Sequence, residues 1–180
     1  KLPMSTARVA CPGCGGPFPD VDGPTHRYME SSPGCWAVYG EVLAREYSDT
    51  TFWATHRLTV DCYAVQHPGR PSPQAIGSVS THLMCICATL ERGLDAAAPP
   101  GTMRLVPKEM RSVHWLEPPA HPVGVTVLDV HAAASAPEHL EAVRTWATAL
   151  WSAWSDHQDQ VRAWLDAYAL DPRYGRPRTP

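Results

Sequence analysis

The sequence predicts a mainly helical fold, a bundle of about four helices with an irregular N-terminal segment and one or two short strands. Apolar residues recur every three or four positions over long stretches, which is typical of helices that pack on one face. The 19 prolines interrupt the chain between these stretches. Residues 1–34 alone hold six prolines and five glycines, which leaves little room there for regular structure.

Three helices are predicted in the first half of the chain, over residues 35–47, 52–66 and 73–92. The third has the clearest boundaries, since Ser72 before a proline is an N-cap signature and Gly93 occupies the place of a C-cap glycine. The second helix should end at the His-Pro-Gly sequence that follows residue 66.

The second half is predicted to contain one long helix after a proline-rich connection. The connection spans 94–136, with a short strand around 103–106. Residues 124–130 alternate and are β-branched, so they are either a second strand or the lead-in to a helix. The longest helix runs from 137 to about 168, and Ser135 is its candidate N-cap.

A chain of 180 residues fits a single domain that buries roughly two-thirds of its unfolded surface. We expect one domain over 1–180, divided as follows: an irregular segment 1–34, a three-helix unit 35–92, a connection 94–136, a long helix 137–169 and a tail 170–180.

Composition excludes several classes of partner. A net charge of −3, with 15 basic and 18 acidic residues, gives no electrostatic footprint for nucleic acid. No run approaches the ~18 apolar residues of a membrane span, and the N-terminus lacks a signal-peptide core. We therefore expect a cytoplasmic protein with no nucleic-acid or membrane partner; the oligomeric state stays open.

The chain has six cysteines, and two of them form the turn Cys11-Pro-Gly-Cys14-Gly-Gly. A Cys-x-x-Cys turn followed by glycines can aim both sulfurs at one point, which provides half of a zinc site. Cys35 is a third ligand, because it lies at the start of helix one, where the helix N-terminus favours a thiolate. The other cysteines, on predicted helices, are expected in the core: Cys62, Cys85 and Cys87.

The fourth zinc ligand is predicted from helix register. If helices one and two form an antiparallel hairpin, the level of Cys35 falls near position 63. His67 lies about one turn beyond that level, whereas His56 lies roughly 10 Å away at ~1.5 Å per residue. His67 is thus preferred to His56, and His26 stays open as an alternative. Four protein ligands would close the site and make the zinc structural.

Three further histidines, His56, His82 and His157, fall on or beside apolar helix stripes, where an imidazole needs a partner. An antiparallel pairing of helices two and three brings His82 level with position 57 and so beside His56. With His157 from the long helix, they form a candidate catalytic or metal-binding cluster inside the bundle. The alternative is a set of separately satisfied core histidines.

Two functions from different classes follow. The first is a metal-dependent enzyme or small-molecule-binding protein that uses the interior histidines, with a small molecule as its substrate. The second is a non-enzymatic interaction module with a purely structural Cys3His zinc. A pocket between helices favours the first, and a solid core with an exposed apolar patch favours the second.

Long motifs resemble those of a bacterial family of unknown function that is common in actinomycetes. They are CPGCGG at 11–16, GPTHRYMESSPGCWAVYGEVL at 23–43, HRLTVDCYAVQHPGRPSPQAIGSVSTHL at 56–83 and the late Trp/His helix. The resemblance covers most of the chain and implies no activity. The three interior histidines also resemble the metal site of DinB-like proteins, some of which are thiol-dependent transferases.

Overall fold

The computed structural model describes residues 7–98 and 112–169, which are mainly helical, as the sequence predicts. Two strands form an antiparallel hairpin: β1 (Arg8–Ala10) and β2 (Pro17–Pro19). Six α-helices follow in the described ranges: α1 (Pro33–Ser48), α2 (His56–Gln66), α3 (Pro73–Arg92), α4 (Val127–Ala132), α5 (Ala136–Ala153) and α6 (Gln158–Tyr168). Short 3-10 helices precede α2 and α6: Thr50–Thr55 and Ser155–His157. The hairpin lies in the N-terminal segment, where the sequence predicted no strand.

Side-chain caps fix the starts of α1 and α3; α3 begins at the predicted residue, whereas α1 begins at Pro33, two residues before the predicted start. The Ser32 hydroxyl accepts from the backbone N–H of Cys35, and the Ser72 hydroxyl accepts from that of Ala75. Each serine satisfies a backbone donor that has no partner within the helix. At the other end of α3, Gly93 adopts a left-handed conformation with φ 78°, which favours glycine. The predicted bounds of α3 are therefore confirmed.

The second predicted helix begins later than its apolar spacing suggested. Asp49 accepts hydrogen bonds from both the backbone N–H and the hydroxyl of Thr51, at 2.9 and 2.7 Å. These bonds stabilise a tighter turn, so that residues 50–55 form a 3-10 helix and α2 starts only at His56. The predicted start at residue 52 is wrong for that reason.

Residues 124–130 lead into a helix and do not form a strand. Thr126 and Asp129 make a reciprocal capping box, which fixes the first turn of α4. The Arg45 guanidinium of α1 then donates to three carbonyls at the end of α4: Val130, His131 and Ala133. Local capping thus outweighs the β-branched composition. The strand predicted around 103–106 lies outside the described residues.

The predicted long helix from 137 to 168 is two helices, α5 and α6. The α5 helix ends at Ala153 with Trp154 as its C-cap, and the Gln158 side chain turns back to donate to the Trp151 carbonyl at 2.8 Å. This bond satisfies a carbonyl that the helix leaves open, and so it stabilises the break. Apolar residues on both sides of the break pack into one core, which is why their spacing predicts a single helix.

The core lies among the helices, with α2 in contact with both α3 and α5. Its largest fully buried side chains include Trp146, Trp154 and Leu83. The hairpin packs on α1, where Phe18 of β2 is completely buried. Within the described ranges, no helix combines the length and apolar character needed to cross a membrane.

Candidate metal centre

Four side chains from three parts of the chain converge beside the hairpin: Cys11, Cys14, Cys35 and His67. One ligand atom from each lies within 4.8 Å of the corresponding atom of every other. All four residues are buried, none being more than 2 % exposed. The structure therefore brings together the three cysteines and the histidine that spacing and register singled out.

The turn between β1 and β2 carries Cys11 and Cys14. The backbone N–H of Cys11 donates to the Gly16 carbonyl at 2.9 Å, and the N–H of Gly15 donates to the Cys11 carbonyl at 2.8 Å. Gly15 has a φ of 74°, a left-handed conformation that side chains other than glycine rarely adopt. These bonds fix the turn that brings the Cys11 and Cys14 sulfurs within 4.8 Å of each other.

Gly13 is required by the close approach of two other segments. A Cβ atom at this position would lie 2.3 Å from the Glu30 carbonyl oxygen and 2.5 Å from Cδ2 of His67. Any side chain here would push the imidazole away from the sulfurs. The missing side chain of Gly13 therefore leaves the space that the His67 ring occupies beside the sulfurs.

Cys35 enters the cluster from the first turn of α1. Its backbone N–H is bound by Ser32, and Pro33 supplies the restricted φ that suits the start of a helix. The N–H of Ser32 points at the Cys11 sulfur at 3.4 Å. A helix N-terminus and an N–H···S contact both favour negative charge on sulfur.

His67 follows the last residue of α2, and its ring orientation is set by a backbone hydrogen bond. Nδ1 lies 2.8 Å from the Tyr63 carbonyl oxygen. Because a carbonyl only accepts, Nδ1 carries the proton and Nε2 keeps its lone pair. Nε2 lies 3.4 Å from the Cys35 sulfur. A tetrahedral zinc ion with ordinary Zn–S and Zn–N bonds would separate these two atoms by ~3.6 Å.

The close approach of the three sulfurs moves their pKa values in opposite directions. Contacts from Cys14 and Cys35 lower the pKa of Cys11. The same contact with Cys11 raises the pKa of Cys14 to about 12, and contacts with Cys11 and Cys14 raise that of Cys35. Burial adds to both increases. Three thiolates this close repel one another, so a cation must lie between them for all three to ionise.

A family model described as a family of unknown function, DUF5946, matches residues 9–155. The chain belongs to DUF5946. The predicted resemblance to a family of unknown function is therefore confirmed. The match contains the whole Cys3His cluster together with His56 and His82, and it ends before His157. Neither the curated proteins nor the solved structures include one that matches this chain.

The interior histidines of this DUF5946 chain, His56, His82 and His157, do not form the predicted cluster. His157 lies in the 3-10 helix before α6, where Nε2 donates to the Glu117 carbonyl at 3.0 Å. In the described part of the chain, the Cys3His cluster is the only group of three or more His, Cys, Asp or Glu side chains close enough together to hold a metal ion. The structure therefore does not bring the three histidines together as a metal site, because each imidazole is bound to its own acceptor. Their catalytic role stays a prediction.

His56 belongs to a buried network centred on Glu46, which the sequence analysis missed. The two Glu46 oxygens lie 2.7 Å from Nδ1 of His56 and 2.8 Å from Nε2 of His139. The Thr59 hydroxyl donates to the same carboxylate at 2.6 Å. The side chains of Glu46 and His139 are fully buried. One signal was available, since Glu46 lies four residues after Val42 on the apolar stripe of α1.

His82 has a different carboxylate partner. Its Nδ1 lies 2.7 Å from Oδ1 of Asp61, whose side chain is fully buried. Arg57 donates weakly to the same oxygen at 3.4 Å and to the Cys85 sulfur at 2.8 Å. Asp61 thus joins α2 to α3. His82 was predicted to stand beside His56, but it pairs with a residue more than one turn further along α2.

A cleft of about 320 Å³ opens beside the metal centre. It lies between the Cys11–Cys14 turn, the end of α2, residues 118–123 and the end of α5. Its walls include Cys14, Gln66, Pro119, His121 and Trp154. The Glu117 carbonyl bound by His157 precedes the proline-rich wall. His157 is thus bound to the residue that precedes this wall.

Proposed function

We propose that this DUF5946 chain binds one zinc ion through Cys11, Cys14, Cys35 and His67. The ion fastens the N-terminal hairpin to the start of α1 and the end of α2. The observation that carries this proposal is the ring orientation of His67, whose Nδ1–H is bound by a carbonyl while Nε2 faces the sulfurs. Ligating histidines in proteins are usually oriented in this way.

The donor set favours zinc over other common metals. Three thiolates and one imidazole are soft or borderline ligands, which suit Zn²⁺, whereas Mg²⁺ and Ca²⁺ prefer oxygen. The Cys3His combination is one of the usual tetrahedral sets for structural zinc. Because four protein ligands leave no open position, the ion has a structural and not a catalytic role.

The proposed zinc explains how the N-terminal segment is held. Residues 7–32 contain only two strands of three residues each, and they contribute few apolar side chains to the core. Zinc binding joins this segment to two helices at once. In such sites the free energy of metal binding contributes directly to folding.

Elemental analysis of the purified protein tests the proposal. We expect one zinc per chain in the wild type and a large loss of zinc in Cys14→Ser. Cys62→Ser is the matched control, because Cys62 is also fully buried and lies outside the cluster. It should keep its zinc. Full zinc content in Cys14→Ser would contradict the assignment.

The fourth ligand is tested separately. We expect His67→Ala to retain less zinc than His56→Ala, because His56 is bound to Glu46 and lies outside the cluster. Equal zinc retention by the two variants would show that His67 is not a ligand and would favour His26 as the fourth ligand.

A second candidate function is the binding of a small molecule in the cleft beside the metal centre. Its volume is near the lower end of ligand pockets, and its walls are mainly apolar with a few polar groups. The notable polar side chain at its edge is His121, which is exposed. In this role the zinc would shape one wall of a binding site without taking part in chemistry.

This second function is tested by NMR titration with small aromatic and aliphatic fragments. Binding should shift the amide resonances of Gly15 and His121, both of which line the cleft. Ala120→Trp, in which a large ring fills the cleft from an exposed lining position, should abolish the shifts. Identical shifts in this variant would place the binding elsewhere.

A further inference from the structure

Tyr63 lies beside the candidate metal centre in the protein interior. It lies one turn before His67 on α2 and is completely buried. Its hydroxyl oxygen is 3.4 Å from the Cys35 sulfur, within hydrogen-bond distance for a sulfur partner. The same residue's backbone carbonyl accepts from Nδ1 of His67. Tyr63 thus touches two of the four candidate ligands through two different groups.

The aromatic ring of Tyr63 is held by stacking. Its centroid lies 3.8 Å from that of Tyr39 with an interplanar angle of 13°, and 4.1 Å from that of His67 with an angle of 27°. These contacts restrict the ring, so the hydroxyl has little freedom to move away from Cys35. The imidazole is fixed by the same stack.

We propose that Tyr63 is a positioning residue for the metal centre and that its hydroxyl donates a hydrogen bond to the Cys35 thiolate. This inference rests on the proposed zinc site. A phenol keeps its proton at neutral pH, so it is the donor toward a metal-bound sulfur. The bond fixes the side-chain rotamer of Cys35 and draws negative charge from its sulfur. It should therefore raise zinc affinity and lower the reactivity of this thiolate.

The test compares Tyr63→Phe with Tyr39→Phe. Both substitutions remove one buried hydroxyl and keep a ring in the stack, but only Tyr63 has a hydroxyl near a cluster sulfur. Zinc affinity is measured by competition with a chromophoric chelator. We expect about tenfold weaker binding in Tyr63→Phe, the lower end of the effect seen for partners that orient metal ligands. Tyr39→Phe should change affinity by less than about twofold.

A spectroscopic readout separates positioning from general stability. In cobalt-substituted protein, the sulfur-to-metal charge-transfer band should shift in Tyr63→Phe and stay unchanged in Tyr39→Phe. Equal affinity and identical bands in the two variants would overturn the inference while leaving the zinc proposal intact. A wild-type protein that binds neither metal would instead refute the zinc proposal.

A measurement on the wild type keeps the inference testable if Tyr63→Phe does not fold. In protein loaded with ¹¹³Cd, a hydrogen bond from the Tyr63 hydroxyl to a cadmium-bound sulfur should couple that proton to the metal nucleus. We expect an NMR correlation between the hydroxyl proton and ¹¹³Cd. A resolved hydroxyl resonance without this correlation would show that the bond is not formed.

Discussion

Two of the buried polar clusters in the described part of the chain, the Cys3His cluster and the network around Glu46, differ in their balance of donors and acceptors. In the Cys3His cluster, three ionisable thiols face one imidazole nitrogen, Nε2 of His67, which lies against the Cys35 sulfur. Around Glu46, one carboxylate meets three groups that can donate: His56, His139 and Thr59. The Cys3His cluster therefore has more groups that can carry negative charge than it has donors, whereas the donors around Glu46 are sufficient for its single carboxylate.

This difference decides what each cluster needs from outside. Converging thiolates require a cation, because their repulsion in a buried site is otherwise uncompensated. The carboxylate of Glu46 is satisfied by protein donors and requires no ion. A histidine in this chain is therefore a candidate ligand where its neighbours are sulfurs and a structural donor where its neighbour is a carboxylate.

Removal of the metal should have the largest effect on stability. At free zinc about 1,000-fold above the dissociation constant, the bound ion stabilises the folded state by about 4 kcal/mol. For a chain of this size, a chelator should thus lower Tm by about 8 to 16 °C. Cys14→Ser, which should already lack zinc, serves as the control and should melt alike with and without the chelator. If the chelator left the Tm of the wild type unchanged, the Cys3His cluster would need no metal ion for stability, as the Glu46 network needs none.

Loss of the Glu46 carboxylate should have the next largest effect. Glu46→Leu leaves two imidazoles and a hydroxyl without their acceptor in a buried site, which should cost about 3 kcal/mol. Glu41→Leu is the matched control, because Glu41 on the same helix also pairs with a histidine but is 44 % exposed. Its loss should cost less than about 1 kcal/mol. Chemical denaturation of the two variants, with zinc content measured in parallel, checks this difference; both should keep their zinc.

The Cys3His cluster was predictable because its signals are local or depend on simple register. The Cys11–Cys14 turn is a short motif, and Cys35 follows a cap and a proline. Only His67 required a tertiary argument, and an antiparallel hairpin of two helices sufficed. The contact between Cys35 and Tyr63 shows that this register was correct to within a residue or so.

The interior network was not predictable in the same way, because burial of a charged residue depends on its partners. Glu46 follows the apolar stripe of α1, but an acidic residue near a helix end usually faces water. Its burial depends on His139, which lies 93 positions later in the sequence. The break at Trp154 was missed for a related reason, since both helices bury their apolar faces in one core. Spacing reports which face is buried and not whether the helix is continuous.

The close packing of Gly13 against His67 makes a smaller and more specific prediction. Gly13→Ala should cost about 2 kcal/mol, because its Cβ would overlap backbone and ring atoms that are fixed by other contacts. It should also weaken zinc binding by displacing the imidazole. Gly40→Ala on α1 is the control, since nothing lies within 4 Å of its Cβ, and alanine should stabilise the helix by about 0.5 to 1 kcal/mol. Thermal melts should thus show shifts of opposite sign.

The smallest expected effect is the coupling between His56 and His82. Each should be destabilising when replaced by alanine, by about 1 to 3 kcal/mol, because a buried carboxylate then loses a donor. The two acceptors, Glu46 and Asp61, lie on different helices and share no partner. The loss of stability in the double variant should therefore equal the sum of the losses in the two single variants to within about 0.5 kcal/mol. The cycle of His56→Ala with His139→Ala should show clear coupling instead, since both rings bind Glu46. Strong coupling of His56 with His82 would mean that the two histidines form one site after all.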